Sequence, residues 1–471
     1  MKINTGICCL LLALAACTSQ KKLANPANPI VANVKSENAI EKAAQQFLLS
    51  DSNLATAHLG ISIYDPSEKK YLYNYQGDKY FIPASNTKLL TCYAAMKYLG
   101  DSLVGLRYNS YNDESIVIQG NGDPTFLHPD FKNQPVYDFF KRQKYISFLD
   151  VGFLTRFTPL GNGWAWNDYN DDYAQERSEF PIYGNLVKFS FKNDTISVSP
   201  HFFYDRQYSS IAHVNENRTQ NNFLISKKFS LKRELETNWF YLETAARNFS
   251  SIEIPFKTIN LNDPHLKSPI FIRLLEDTLH TSLGKVITLD EHCTIFNNII
   301  HSQPTDSLLK ITMHRSDNFF AEQTLLMVSN ERLGLMSDAK IIDTLLKTDY
   351  KAMPQKPKWV DGSGLSRYNL ISPQDFVFVL EKMKNDFAWN RITTILPTGN
   401  SGTLSGLYKN YAGKIFAKTG TVSNNLALSG YIITNQNKQL IFSVIVNNHQ
   451  ASASAIRRSI EKFITDVIDK N

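Results

Sequence analysis

Apolar positions along the chain change period several times. Residues 39–49 repeat at the helical interval. Residues 59–64 then alternate as a strand, Asp65-Pro66 marks a turn, and 71–75 alternate again, which predicts a hairpin. A helix is predicted from about Ser85 to Leu99, stopped by Gly100. From about 100 to 300 short alternating runs, such as 115–119, 187–191 and 195–199, are separated by Asn, Asp, Gly and Pro, so this stretch reads as mainly β. Helical periodicity returns at 307–313 and 318–333. Three strand-like runs follow, at 415–421, 426–434 and 439–447, and an amphipathic helix covers about 452–468. The ends are thus α+β around a β-rich middle. Pattern alone leaves open a single domain with a large insertion or two to three domains in series.

A length of 471 residues has room for two to three domains, and 43% hydrophobic with 12% aromatic residues supplies large cores. These proportions exclude collagen-like, rod-like and disordered chains. The net charge of +6 is diluted over 50 basic and 44 acidic residues, too mild for a nucleic-acid partner. At the start, Lys2 precedes an apolar run, 7–16, too short to span a membrane. It ends Leu14-Ala15-Ala16-Cys17, which resembles the bacterial lipoprotein box; the alternative is an ordinary signal peptide with an incidental Cys. The expectation is a lipoprotein signal over 1–17, lipid on Cys17, and a flexible Asn-Pro-containing tether over 18–35. No later run is long and apolar enough to span a bilayer, so the expected location is the periplasm, on a bacterial membrane through a lipid anchor. Thr18, not acidic, favours the outer membrane over the inner. With Cys8 and Cys9 in the signal, only Cys92 and Cys293 remain, so no disulfide framework is expected, although one bridge between them stays open. No CxxC or HExxH occurs and the ten His are scattered, so neither a metal nor a cofactor is expected.

Three short motifs carry chemistry. Ser85-Asn-Thr-Lys88 opens the first strong helix, where residues i and i+3 share a face and a desolvated amine can take the hydroxyl proton. Alone this is weak: Ser67-Glu-Lys-Lys70 has the same spacing but lies in the hairpin turn, and Ser85 also suits an N-cap. Ser316-Asp317-Asn318 precedes a helix. It reads as an N-cap, or as a relay in which Ser316 passes a proton to a leaving amine and Asn318 donates hydrogen bonds to Lys88 or a substrate amide. Lys418-Thr419-Gly420-Thr421 lies in a strand, where a buried Lys wants an anion and Gly admits another backbone; an edge-strand Lys beside a bulge is the plain alternative. In this order the set S-x-x-K, S-D-N, K-T-G is the signature of penicillin-binding proteins and class A β-lactamases.

The distance from Ser85 to Ser316 exceeds what a compact β-lactamase needs, and the excess coincides with the β-rich middle. The sequence resembles the class C low-molecular-mass penicillin-binding proteins, the D-alanyl-D-alanine carboxypeptidase/endopeptidase family. Further residues carry the likeness: G-N-G-D-P-T at 120–125, G-W-A-W-N-D at 163–168, D-G-S-G-L-S-R at 361–367, and the L-P…G-T-L stretch at 396–404, which by itself reads as a loop before a helix. The resemblance implies a transpeptidase-like α+β domain, an antiparallel sheet flanked by helices, over 36–99 and 303–471, interrupted by a β-rich accessory region over 100–302. It implies Ser85 as nucleophile, Lys88 as base, Ser316 and Asn318 as relay and ligand, and Lys418, Thr419, Gly420 and Thr421 around the substrate carboxylate. The implied partners are peptidoglycan stem peptides, with β-lactams as covalent inhibitors. Asp123 is expected either to face a substrate ammonium or to be a plain Asp-Pro turn residue. A serine β-lactamase, a non-catalytic wall-binding lipoprotein and a transpeptidase of the same fold are the rival readings.

Overall fold

The computed structural model describes residues 38–471 apart from 113–114, 144, 150–156, 193–194, 205–208, 214–229, 245–248, 259–269, 281, 283–285 and 288–295. The expected signal, Cys17, the tether over 18–35 and Cys293 lie outside the described residues. Cys92 is buried within a helix as a free thiol.

Five antiparallel strands form the sheet in which the K-T-G strand lies. In spatial order they are Ile415–Val422, Asn425–Ile433, Gln439–Asn447, His58–Asp65 and Lys70–Tyr75. The N-terminal hairpin joins through His58–Asp65, with Leu59 opposite Val446 and Ile63 opposite Phe442, so distant ends of the chain close one sheet. Both faces are covered. Leu440, Phe442, Val444 and Val446 pack with the helices Ala39–Ala44 and Ala453–Lys470, whereas Ala427, Tyr431, Ile441 and Ile445 pack with Lys88–Tyr98, Asn318–Leu333 and Pro373–Asp386. Burial on both faces explains why these strands are nearly continuous apolar runs. Each fully buried Ile, Val or Phe contributes about 1.5–3 kcal/mol.

The helix expected over 39–49 is α only through Ala44; Gln45–Leu49 continues as a π-helical turn. Around this sheet three helices were not anticipated: Asp338–Lys347, Pro373–Asp386 and Trp389–Ile395. The second begins with a capping box, in which Ser372 and Asp375 satisfy each other's backbone N–H and Pro373 occupies the first turn. The 396–404 stretch follows a helix rather than preceding one, and ends in the 3₁₀ turn Gly402–Leu404.

The chain leaves this part at Gly100 and returns at Thr305, whose N–H donates to Asp101 O at 2.9 Å. The outgoing strand Ser102–Asn112 and the returning strand Asn298–Pro304 are antiparallel neighbours. They belong to a second five-stranded sheet with Ser115–Gly120, Tyr145–Leu149 and Val286–Ile287. Among the described residues the inserted region also holds two three-stranded sheets and the helices Pro135–Phe140 and Ile270–Leu279. It has its own aromatic core, including Phe126, Phe140, Phe180, Phe189, Phe203, Phe240 and Phe256.

The insertion is fastened to the helix Asn318–Leu333. Arg107 donates twice to Glu331, 2.8 Å to each oxygen. Gln323 Nε2 donates to Gly122 O and Ser178 O, both at 2.8 Å. Buried Arg177 reaches Glu322 at 3.3 Å and Asp338 at 2.7 Å.

Candidate active site

Ser85 sits in a tight turn rather than at a helix cap. The preceding Ala84 has φ 47°, a left-handed conformation that a residue with a Cβ rarely adopts. Ala84–Thr87 form one 3₁₀ turn, and the α-helix proper runs Lys88–Tyr98. The turn is held from two sides by glycines. A Cβ on Gly364 (φ 82°) would stand 1.9 Å from Ala84 O, and one on Gly420 would stand 2.7 Å from Pro83 O and 3.1 Å from Ser85 N. The D-G-S-G-L-S-R loop and the edge strand Ile415–Val422 thus both press on the Ser85 turn.

Lys88 is fully buried, and its Nζ donates to Ser85 Oγ (2.9 Å), Asn318 Oδ1 (2.7 Å) and Ser363 O (2.8 Å). Burial pushes its pKa down to about 8, against the opposing charges of Asp361, Asp317 and Glu322. The amine is therefore close to losing its proton at neutral pH while hydrogen-bonded to the hydroxyl it would deprotonate.

Ser316 ends the helix Thr305–Arg315 in a left-handed conformation, φ 63°. That reversal lets Asp317 cap the next helix, its Oδ1 accepting from Phe320 N at 2.9 Å, so the capping role holds for Asp317. Asn318 accepts from Lys88 rather than donating to it; its Nδ2 donates to Tyr173 O at 3.1 Å. Lys418 Nζ donates to Ser316 Oγ (2.8 Å) and to Thr419 O (2.7 Å). Lys418 is fully buried, and burial, with Lys88 nearby, holds its pKa well below the usual lysine range. Ser67, by contrast, donates to Asp65 in the hairpin turn and approaches none of these groups.

Ser85, Ser316, Asn318, Thr419 and Thr421 line a cleft of about 710 Å³. The profile of the D-Ala-D-Ala carboxypeptidase 3 (S13) family matches residues 41–467. The chain belongs to that family. Over 455 residues this S13 protein is 25% identical to penicillin-sensitive carboxypeptidase A of Dictyostelium discoideum, covering 85% of each chain. It is 22% identical to the D-alanyl-D-alanine carboxypeptidase DacB of Haemophilus influenzae, covering 88% of this chain and 94% of that one. The crystal structure of penicillin-binding protein 4 from Haemophilus influenzae shares the fold, with a TM-score of 0.67 at 18% identity, over 91% of this chain and 99% of that one.

The S13 protein departs from the sequence expectation at Asp123. That carboxylate does not line the cleft. It is 3% exposed and accepts from the Ser302 hydroxyl and from Thr125 N (2.9 Å), so it ties the 120–125 turn to the returning strand. Burial raises its pKa against those hydrogen bonds. The turn reading is the one this geometry fits. The acid in the cleft is Asp168, on the 3₁₀ turn Trp166–Asp168. The G-W-A-W-N-D stretch was the available signal for it, but nothing in spacing says which of two inserted turns reaches the cleft of Ser85.

A polar layer behind Lys88 also escaped the sequence reading. Asp361 accepts from Gly364 N (2.9 Å), Ser366 N (2.6 Å), Asn369 Nδ2 (2.7 Å) and Trp164 Nε1 (3.1 Å), which fixes the loop whose Ser363 carbonyl receives Lys88. Glu322 accepts from Ser363 N at 2.7 Å and is fully buried, its pKa raised to about 7 chiefly by burial, with Asp361 adding repulsion and Arg177 opposing. An acid directly after the apolar run Phe319-Phe320-Ala321 of a helix was its signal. Arg457, which donates to Thr421 Oγ1 at 3.0 Å, had none.

Proposed function

We propose that this serine D-Ala-D-Ala peptidase works as a carboxypeptidase, an endopeptidase or both on peptidoglycan stem peptides, through an acyl-enzyme on Ser85. The observation that carries this reading is the buried Lys88 amine, 2.9 Å from Ser85 Oγ with its pKa pushed down to about 8. Unprotonated Lys88 takes the Ser85 proton as Oγ attacks the carbonyl between the two D-alanines. The oxyanion forms against the backbone N–H groups of Ser85 and Thr421, two donors aimed where charge develops. The departing amine receives its proton through Ser316, whose Oγ is itself held by Lys418. Water then hydrolyses the ester and returns Ser85 to its starting state. β-Lactams, which imitate D-Ala-D-Ala, acylate Ser85 and stay.

Asp168, half-buried in the cleft, is the group we assign to a free ammonium on the stem peptide, the role that Asp123 does not have the position for. For the segment before residue 38, we propose lipid on Cys17 and a periplasmic site of action on a bacterial membrane, the outer one favoured; the Leu14-Ala15-Ala16-Cys17 run supports this.

The test is release of D-alanine from a stem pentapeptide ending in D-Ala-D-Ala. The wild-type protein releases it, Ser67→Ala releases it equally, and Ser85→Ala releases none. Release that survives Ser85→Ala sinks the assignment.

A further inference from the structure

The Lys88 amine has three hydrogen-bond partners, and only one of them can give it a proton. As an ammonium it donates to Ser85 Oγ, Asn318 Oδ1 and Ser363 O. Once neutral it keeps two N–H groups and gains a lone pair. Asn318 Oδ1 and Ser363 O can only accept, and the Asn318 amide is fixed in that orientation because its Nδ2 donates to Tyr173 O. The two N–H groups therefore stay on those carbonyls, and the lone pair is turned to the Ser85 hydroxyl. This holds only while both carbonyls keep their places.

Ser363 O is placed by two successive peptide groups, each held at both ends. The Gly362–Ser363 peptide accepts from Thr91 Oγ1 at 2.7 Å, on the helix that begins with Lys88, and its N–H donates to Glu322 Oε1 at 2.7 Å. The Ser363–Gly364 peptide accepts from Lys88, and its N–H donates to Asp361 Oδ1 at 2.9 Å. The two carboxylates differ. Asp361 takes three further donors, from Ser366, Asn369 and Trp164. Glu322 is fully buried, yet beside Ser363 it has only Arg177, at 3.3 Å, among the described residues. Stability alone does not account for such an acid, since a buried ion pair is often no better than apolar side chains of the same volume.

We propose that Glu322 is a positioning residue for the base: by holding the N–H of Ser363 it keeps the next carbonyl on Lys88 and so aims the amine lone pair at Ser85. This rests on the reading of Lys88 as the base given above. Glu322 acts by its charge as well. The charged groups facing Lys88 are Asp361, Asp317 and Glu322, together with the Lys418 amine, and those facing Glu322 are Arg177 and Asp361. The three carboxylates favour the protonated amine, so removing one of them lowers the pH at which Lys88 becomes a base.

The experiment follows acylation by benzylpenicillin from acid to alkaline pH in wild type, Glu322→Gln and Glu322→Leu, and separates the dissociation constant of the first complex from the limiting acylation rate. Gln keeps an oxygen for Ser363 N but no charge, and Leu keeps neither. In both variants the midpoint of the rising limb should move about half to one pH unit lower. The limiting rate at alkaline pH should fall about 100-fold in Glu322→Leu and about tenfold or less in Glu322→Gln, with the dissociation constant unchanged in both. A midpoint that stays at the wild-type pH, an equal fall in both variants, or no fall in either overturns the proposal, because Glu322 would then only support the fold. If Glu322→Leu does not fold, the midpoint of Glu322→Gln decides alone. A wild-type profile that is flat with pH would instead overturn Lys88 as the base, and this inference with it.

Discussion

In the mechanism proposed above, Lys88 is the residue on which the chemistry turns, because its protonation state decides whether Ser85 has a base. Its pKa is pushed down to about 8, so the unprotonated fraction climbs as pH rises toward that value. The rate constant for acylation by a penicillin should therefore rise about tenfold per pH unit below 8 and level off above it. A flat profile between pH 6 and 8 would mean that another group takes the proton. Gly420 tests the geometry rather than the proton. An alanine there would put a methyl 2.7 Å from Pro83 O, so the strand or the nucleophile turn must shift. Acylation by Gly420→Ala is expected to fall about 100-fold, as it does when reacting groups move by an ångström, with the far-UV spectrum unchanged. Asp123 should behave as a structural residue. Asp123→Asn is expected to lower the melting temperature and to leave unchanged the ratio of rates for stems with and without a free diamino-acid amine. Most of the catalytic residues were legible because each motif combines unusual chemistry with an element boundary. Asp123 and Asp168 were not told apart, since both lie in inserted turns whose packing depends on contacts far off in sequence.

At the scale of elements, the helix Asn318–Leu333 does two jobs. Its first residue receives Lys88, and its buried faces hold the insertion through Glu322, Gln323 and Glu331. Its apolar periodicity and the Asp317 cap gave its bounds from sequence, and the three final strands were likewise visible as apolar runs. The helix Pro373–Asp386 was missed although Ser372 and Asp375 form a capping box, because its apolar positions were not read as a helical stripe. The buried Arg177–Glu322 contact makes a prediction at this level. Replacing Arg177 by Ala leaves Glu322 buried without its cation, a change that costs about 3–5 kcal/mol. Glu322 titrates near pH 7, and below that the carboxyl protonates and needs the guanidinium less. Denaturant unfolding should accordingly show a larger deficit for Arg177→Ala at pH 8 than at pH 5. Equal deficits at both pH values would indicate that Arg177 contributes through Asp338, the Thr158 carbonyl and packing rather than through Glu322.

In the whole molecule, the inserted region leaves and re-enters the catalytic part on adjacent strands and places Asp168 and Tyr173 on the wall of the cleft that holds Ser85. The change of texture at residues 100 and 300 marked that region, but its route over the cleft depends on tertiary contacts such as Arg107–Glu331 that no local pattern encodes. At the other end of the chain, Cys17→Ser is expected to move the protein from the membrane fraction to the soluble fraction; a wild-type protein that is soluble with an unmodified Cys17 would remove the anchor. The central claim is a covalent intermediate on one serine. Its most direct test is mass analysis of proteolytic peptides after treatment with benzylpenicillin. The account predicts one adduct of the mass of the intact drug, on the peptide that contains Ser85, and none in Ser85→Ala. An adduct on any other residue, or no adduct in a folded wild-type protein, would contradict it.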